Sequence, residues 1–463
     1  MPPKDLHPTG NDSKTLDRRT VLKHAATLGA AAAVVPLAFT GCAMAPRTVR
    51  HDTLRHACIG VGGMGEWDMK TIGSHDNVQI VAICDVDEER LATASGLYPD
   101  ARRYTDWRAL LASEGSSLDS INVSTPDHMH APITMSALHD GLHVYCQKPL
   151  THTVFESRRI ADVARRVGAI TQMGIQNHSL VNFRRAHRIF SEGVTGPVRE
   201  VHVWTDRAAG WWPQGVERTP GSDPIPVTLD WNGWLGVAPE RPYLKDQYTP
   251  FTWRGRKDFG TGAQGDMACH LMDPVPWFLG VRDPLTIRSE GPRPNNESFP
   301  LWSEVHYDFE SANEHCDPAG VHLVWHDGGR KPDALLAEWG VDDPYANAAF
   351  FVGDSGALLV SPYEDCRLFT TTGESPLTLP ELPEINHWHQ WVNACFGREE
   401  ATTPFAYAGP ITEIALLGNI ALEFPGETLD WDSRSLSFPS KDAATALVSK
   451  AYRRGWNVPM LKA

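Results

Sequence analysis

A doubly wound parallel α/β domain, followed by an α+β domain with an open, mainly antiparallel sheet, is the fold class this sequence predicts. Three observations carry the prediction. Residues 56–69 read as a short apolar strand, a glycine-rich turn and the start of a helix. Strand-like and helix-like segments then alternate as far as Gly174, as they do in a parallel sheet with helical crossovers. From Val198 the pattern changes to alternating strands with long connections, the signature of a sheet with one wet face.

In the first stretch Gly60, Gly62 and Gly65 fit G-x-G-x-x-G, with Gly63 and Met64 inside the turn. The first glycine allows the tight turn, the second lets a pyrophosphate approach the backbone, and the third lets helix pack on strand. The helix N-terminus then offers free N–H groups and a partial positive charge to phosphates. Residues 77–84 form a second apolar strand that ends at Asp85. An acid there, about 20 residues past the turn, is placed to hold the ribose hydroxyls of NAD. A plainer reading makes Asp85 the N-cap of the helix beginning at Glu88. No Arg or Lys directly follows Asp85 to receive a 2′-phosphate, which favours NAD over NADP.

Residues 91–98 read as a helix, 103–111 as a short strand, a cap and a helix, and 118–124 as a strand opening onto Thr125-Pro126-Asp127. A helix over 131–140 stops at Gly141, a strand over 142–146 leads into Gln147-Lys148-Pro149, and a helix spans 156–167. The strand 170–174 closes the domain, with Gln176-Asn177-His178 at its end. In such a sheet the ligand lies at the carboxyl ends of the strands, where Ser124, Thr125, Pro126, Gln147 and Lys148 fall.

The domain boundaries read from this pattern are 50–174 and 175–440, with a tail over 441–463. After a helix over 183–192, residues 198–205 alternate strictly. The stretch from Trp204 to Trp277 holds seven tryptophans, counting both ends, among prolines, glycines and charges. That aromatic content argues for a binding surface or subunit contact and against disorder. Asp266 and His270 are four apart, which puts both on one face of a helix. A His with a pKa near neutrality suits a hydroxyl proton, and a carboxylate beside it can orient substrate or ring. The pair also has the spacing of metal ligands, but no third ligand cluster accompanies it, so no metal is expected. Strands follow over 286–295, 303–309, 319–326 and 348–360, then helices over 386–396 and 408–422, with His387 and His389 structural.

The net charge of −15 argues against nucleic acid or an anionic membrane surface as partner. Residues 1–45 read as an address and are kept out of the fold. Asp17-Arg18-Arg19-Thr20 resembles a twin-arginine export signal, and the apolar run after it is shorter than the ~20 residues of a membrane span. Export implies the periplasm or cell envelope. Phe39-Thr40-Gly41-Cys42 offers lipidation at Cys42, slightly favoured, and Ala43-Met44-Ala45 offers a cut after Ala45 instead. The seven later cysteines suit buried thiols better than a disulfide framework.

Taken together, the glycine turn, Ser124-Thr125-Pro126 with His130, and the Lys148-Pro149 after Tyr145-Cys146 resemble the Gfo/Idh/MocA oxidoreductase family. The resemblance spans nearly everything after residue 50. It implies an N-terminal Rossmann domain binding NAD through the turn, Asp85, residues 124–126, His130, Gln147, Lys148 and Asn177. It implies further that Lys148 reaches both the nicotinamide ribose and the substrate, and that Lys148, Asp266 and His270 form the catalytic set. Relatives carry Glu-Lys-Pro where this chain has Gln147-Lys148-Pro149, which leaves the lysine's role in proton transfer open. The implied activity is NAD(H)-dependent oxidoreduction of a carbohydrate or cyclitol. A redox-neutral glycosidase or lyase with a captive NAD and a non-catalytic sugar sensor are the alternatives; the intact set speaks against the sensor. An open sheet face suggests a homo-oligomer.

Overall fold

The computed structural model describes Val49 and residues 51–208 and 210–461, so the expected export segment and Cys42 lie outside the described residues. Its first sheet has six strands: β1 (Leu54–Ile59), β2 (Val78–Cys84), β3 (Arg102–Tyr104), β4 (Ser120–Val123), β5 (His143–Cys146) and β6 (Thr171–Met173). They run parallel in the order β3-β2-β1-β4-β5-β6. The crossovers are α1 (Met64–Gly73), α2 (Glu88–Leu97), α3 (Trp107–Glu114), α4 (His130–His139) and α5 (Val154–Val167).

Local chemistry explains where these helices begin. Asp87 and Asp106 accept the N–H of Glu89 and Arg108 at the starts of α2 and α3. Thr153 and Glu156 form a reciprocal capping box on α5, which ends at Gly168 in the left-handed region. Because Asp87 caps α2, the plainer reading of Asp85 falls away. The order reverses between β1 and β4, which opens a crevice at the carboxyl ends of those two strands.

The second sheet has nine strands: β7 (Val198–Trp204), β8 (Thr286–Glu290), β9 (Glu304–Phe309), β10 (Val321–His326), β11 (Ala348–Gly353), β12 (Ala357–Val360), β13 (Arg367–Thr370), β14 (Gly373–Ser375) and β15 (Thr428–Asp430). Its order is β14-β13-β12-β11-β7-β10-β9-β8-β15, antiparallel throughout except for the central pair β7–β10. The single strand expected over 348–360 is a hairpin. Asp354-Ser355-Gly356 turns the chain, and Gly353 N–H donates to Gly356 O at 2.9 Å.

Two helices join the sheets. All ten residues of the helix Gly262–Leu271 are buried. The helix Phe405–Ala421 starts in the core of the parallel sheet with Phe405, Ala408 and Ile411, and ends in the core of the second with Ile414, Leu417 and Ile420. Residues 441–461 do not behave as a tail. Trp456, Val458 and Leu461 enter the core under the parallel sheet, and Tyr452 donates to Glu156 Oε1 at 2.6 Å. The tryptophan-rich insertion has its own small core of Trp231, Trp234, Tyr243, Tyr248 and Phe259, with Trp231 and Trp234 stacked at 4.9 Å.

Candidate active site

A cavity of about 1230 Å³ opens at the carboxyl ends of the parallel strands. The glycine turn forms one wall, and only glycine fits its tightest points. Gly60 has φ +82°, and a Cβ there would meet Ser124 O at 2.6 Å; one on Gly65 would meet Gly60 O at 2.0 Å. Gly65 therefore serves helix–strand packing, while Gly60, Gly62, Gly63 and Met64 face the cavity.

At the end of β2, Asp85 accepts the N–H of Val61 at 2.9 Å on one oxygen and that of Asp87 at 3.0 Å on the other. It thus locks the glycine turn to the β2–α2 turn. Burial pushes its carboxyl above the ordinary range, partly offset by the nearby Arg90. Arg90 lies against the glycine turn, where a Cβ on Gly62 would come within 2.5 Å of its guanidinium.

Beneath the turn sits a carboxylate that sequence reasoning missed. Asp68 is fully buried and accepts Ser124 Oγ at 2.7 Å, Trp388 Nε1 at 2.8 Å and Gln147 Nε2 at 3.0 Å. Burial outweighs these donors and raises it to about 6. The acid absent at Gln147 is thus present one hydrogen bond away, and it fixes the amide that lines the cavity beside Lys148.

Lys148 follows β5, and its Nζ donates to Asp266 Oδ1 at 2.6 Å. Arg254, from the insertion and only 5% exposed, places its Nε 3.2 Å from the same oxygen and pairs through Nη1 with buried Asp127. Thr261 donates to Asp127 at 2.6 Å. Burial alone would raise Asp266, but Lys148 and Arg254 overcome it and hold the carboxyl at about 2. His270, one turn along the helix, faces the same cavity with Nδ1 lacking a partner. Burial, aided by Lys148, lowers its pKa to about 3, so the resting ring is neutral instead of poised near pH 7.

The cavity gathers Ser124, Thr125, Pro126, Gln147, Lys148, Asp266 and His270 as expected. His130 is a correction. Its Nδ1 and Nε2 each lie 2.7 Å from a carbonyl, Pro149 O and Thr125 O, so the ring braces the two turns and does not face the cavity. Asn177 is buried and does not line the cavity; its neighbour Gln176 does. Arg254, Asp127 and Asp68 had no local signal, because their partners lie far away in sequence. Among the described residues no group of three or more His, Cys, Asp or Glu is arranged to hold a metal.

The site fits a dinucleotide. A glycine cradle, an acid at the next strand end and unpartnered polar atoms on Thr125 and His270 face one space. Comparison with known proteins agrees. The model of an oxidoreductase family's NAD-binding Rossmann fold matches residues 54–175, and that of the family's C-terminal alpha/beta domain matches 181–317. Levoglucosan dehydrogenase of Pseudarthrobacter phenanthrenivorans is 25% identical over 43% of this chain and 42% of its own length. D-glucoside 3-dehydrogenase of Escherichia coli is 30% identical over 34% of this chain and 43% of its own. A glycosyl hydrolase family 109 protein of Shewanella pealeana is 34% identical over 29% and 30%. The matched stretches span less than half the length of these curated relatives. Among solved structures, the WlbA dehydrogenase of Bordetella pertussis, in complex with NADH and UDP-GlcNAcA, superposes with a TM-score of 0.57 at 16% identity, over 82% of this chain and 99% of that one. The aldose-aldose oxidoreductase of Caulobacter crescentus gives 0.55 at 15%, over 82% and 100%. At these identities the two structures establish the fold.

Proposed function

Since the chain belongs to the Gfo/Idh/MocA oxidoreductase family, we propose that it moves hydride between a ring carbon of a carbohydrate or cyclitol and a tightly held NAD. One observation carries this reading: Lys148, Asp266 and His270 converge on the cavity that the glycine turn and Asp85 line. Bound NAD supplies the hydride acceptor. The residues of the chain then handle the proton and the geometry. As the ring C–H leaves as hydride, the hydroxyl on that carbon loses its proton to the neutral ring of His270. Lys148 donates to the oxygen that becomes a carbonyl, and stabilises the charge it gathers. Asp266, held ionised by two cations, keeps Lys148 in place and is no proton acceptor itself. In sum, an alcohol loses a hydride and a proton and becomes a ketone.

The 34% identity to a glycosyl hydrolase family 109 protein favours a second reading, a redox-neutral glycosidase in which the same hydride is taken and returned. The test is to incubate the purified chain, without added NAD, with glycosides and free sugars while following nicotinamide absorbance and products. Ketosugar accumulating with reduced nucleotide supports oxidoreduction. Steady aglycone release without net reduction supports the glycosidase.

Arg18-Arg19 and the run after them support export by the twin-arginine route to the periplasm or envelope, and Cys42 supports a lipid anchor. Exchange of both arginines for lysine should retain the precursor in the cytoplasm. Self-association through the open face of the second sheet completes the reading, and light scattering measures it.

A further inference from the structure

The insertion between β7 and β8 does more than line the mouth of the cavity. Its residues 226–234 lie on the β2–α2 turn, the turn that begins with Asp85. Leu229 pairs with Asp87 in an isolated antiparallel bridge. Glu88 N–H donates to Thr228 O and Asp230 N–H to Val86 O, both at 2.9 Å. Gly233 packs so closely on Val86 that a Cβ would lie 3.0 Å from its side chain. Pro226, Thr228 and Leu229 line the same cavity as the glycine turn.

The segment is also pinned from behind. Arg453 donates from Nε to Gly236 O and from Nη2 to Asn232 O, both at 2.9 Å, and His128 Nε2 lies 3.1 Å from Trp234 O. It is a fixed wall, built over the corner where a dinucleotide puts its adenosine ribose.

We propose that residues 226–234 are part of the dinucleotide site, a wall that encloses the adenosine half and makes NAD a retained group instead of an exchanging co-substrate. This rests on the NAD-dependent reading above and adds the residues that enforce retention. Release of the nucleotide then requires the wall to leave the β2–α2 turn, so the backbone bonds that hold it set the release rate. Arg90, lying against Gly62 across the same cavity, adds a positive charge facing the pyrophosphate.

Asp230 provides a clean test because its φ is −75°, a value proline adopts. Asp230→Pro keeps that φ but removes the N–H that bonds Val86 and sets its ring against Val86 O, which parts the two turns, whereas Asp230→Ala keeps that N–H and loses the side-chain cap on Gly233. The full chain and both variants are purified without added nucleotide, and bound NAD is counted chromatographically after denaturation. Each is then loaded with NADH, and release into excess NAD is followed by nicotinamide fluorescence. The parent should carry nucleotide through gel filtration, and Asp230→Pro should release it about tenfold faster, with Asp230→Ala, which loses the cap alone, raising release by a smaller factor. Should Asp230→Pro not fold, Arg90→Gln reads out the facing wall, with faster release again expected. Equal release rates in parent and folded variants, or a parent that exchanges NADH at once, overturn the wall while leaving NAD binding intact. A parent that binds neither NAD nor NADH overturns the NAD reading itself, and the wall with it.

Discussion

Lys148 Nζ meets Asp266 Oδ1 at 2.6 Å across 118 residues of sequence, and this contact joins the turn after β5 to the buried helix Gly262–Leu271. Asp127 and Arg254 extend it into a chain of alternating charges, Asp127–Arg254–Asp266–Lys148. Asp127 and Lys148 come from the nucleotide domain, and Arg254 and Asp266 from the other. The ion pairs therefore set the position of the helix Gly262–Leu271 relative to the turns that follow β4 and β5.

Asp266→Asn keeps the shape and removes the charge between the two cations. Turnover should fall by about 10²-fold or more, with NAD occupancy unchanged. Because the parent carboxyl is held at about 2, the parent's pH profile should show no step from it above pH 4. Steady-state rates of parent and variant from pH 4 to 9 decide the matter.

His270→Ala should lower turnover by about 10²-fold or more with nucleotide still bound. The structure adds a pH signature. A ring whose pKa lies near 3 stays neutral, and able to accept a proton, far below the 6.5 of a free imidazole. The acid limb of kcat/KM should thus fall where the fold gives way, and a limb at 6.5 with the fold intact would contradict this assignment.

Asp85→Arg removes the acceptor for the N–H groups of Val61 and Asp87, and with it the carboxylate proposed to hold the ribose. NADH affinity should drop about tenfold or more, while NADPH gains relative to it. Fluorescence titration with both nucleotides measures the ratio.

Arg254→Met leaves the buried carboxylates of Asp127 and Asp266 without their shared cation. Breaking a buried pair in this way costs about 3–5 kcal/mol. Denaturant unfolding should show a loss of that order, and a loss under about 1 kcal/mol would mean that the pair is dispensable.

Acid should destabilise the fold above the pH range in which ordinary carboxylates titrate. Burial lowers His56 to about 4 and His128, His270, His326 and His387 to about 3. Below pH 6.5 the unfolded chain protonates these five rings while the folded chain does not, so stability is lost as pH falls toward those values. Asp68, raised to about 6, and Asp327, raised to about 7, act in the opposite sense, since the folded chain protonates them first. Five outweigh two. The thermal midpoint should be lower at pH 5 than at pH 7, and a higher one would show that other groups dominate.

Much of this was written in local pattern. The alternation that gives the parallel sheet, the glycine turn with Asp85, and the i,i+4 pair Asp266 and His270 each reside within one short stretch. What escaped depends on distance or on brevity. Strands of three or four residues such as β13, β14 and β15 carry no readable period. Arg254 sits 127 residues from Asp127, so no spacing announces the pair. His130 fell in a motif yet spends its ring on two carbonyls, a choice made by the turns around it. The resting pKa of His270 follows from burial, which only the folded chain displays. The apolar Trp456, Val458 and Leu461 are too sparse to signal that the chain end returns to the first core.

The seven cysteines from Cys58 onward are all free and all buried, two of them inside β1 and β2. For Cys58, Cys84 and Cys395, burial pushes the thiol well above its ordinary value, so little thiolate forms near neutrality. Described in this way, the fold is indifferent to redox. Among the described residues no disulfide holds it together, and no cysteine thiol is exposed for an oxidant to seize. A chain assembled among reductants keeps the same shape when the reductants are gone.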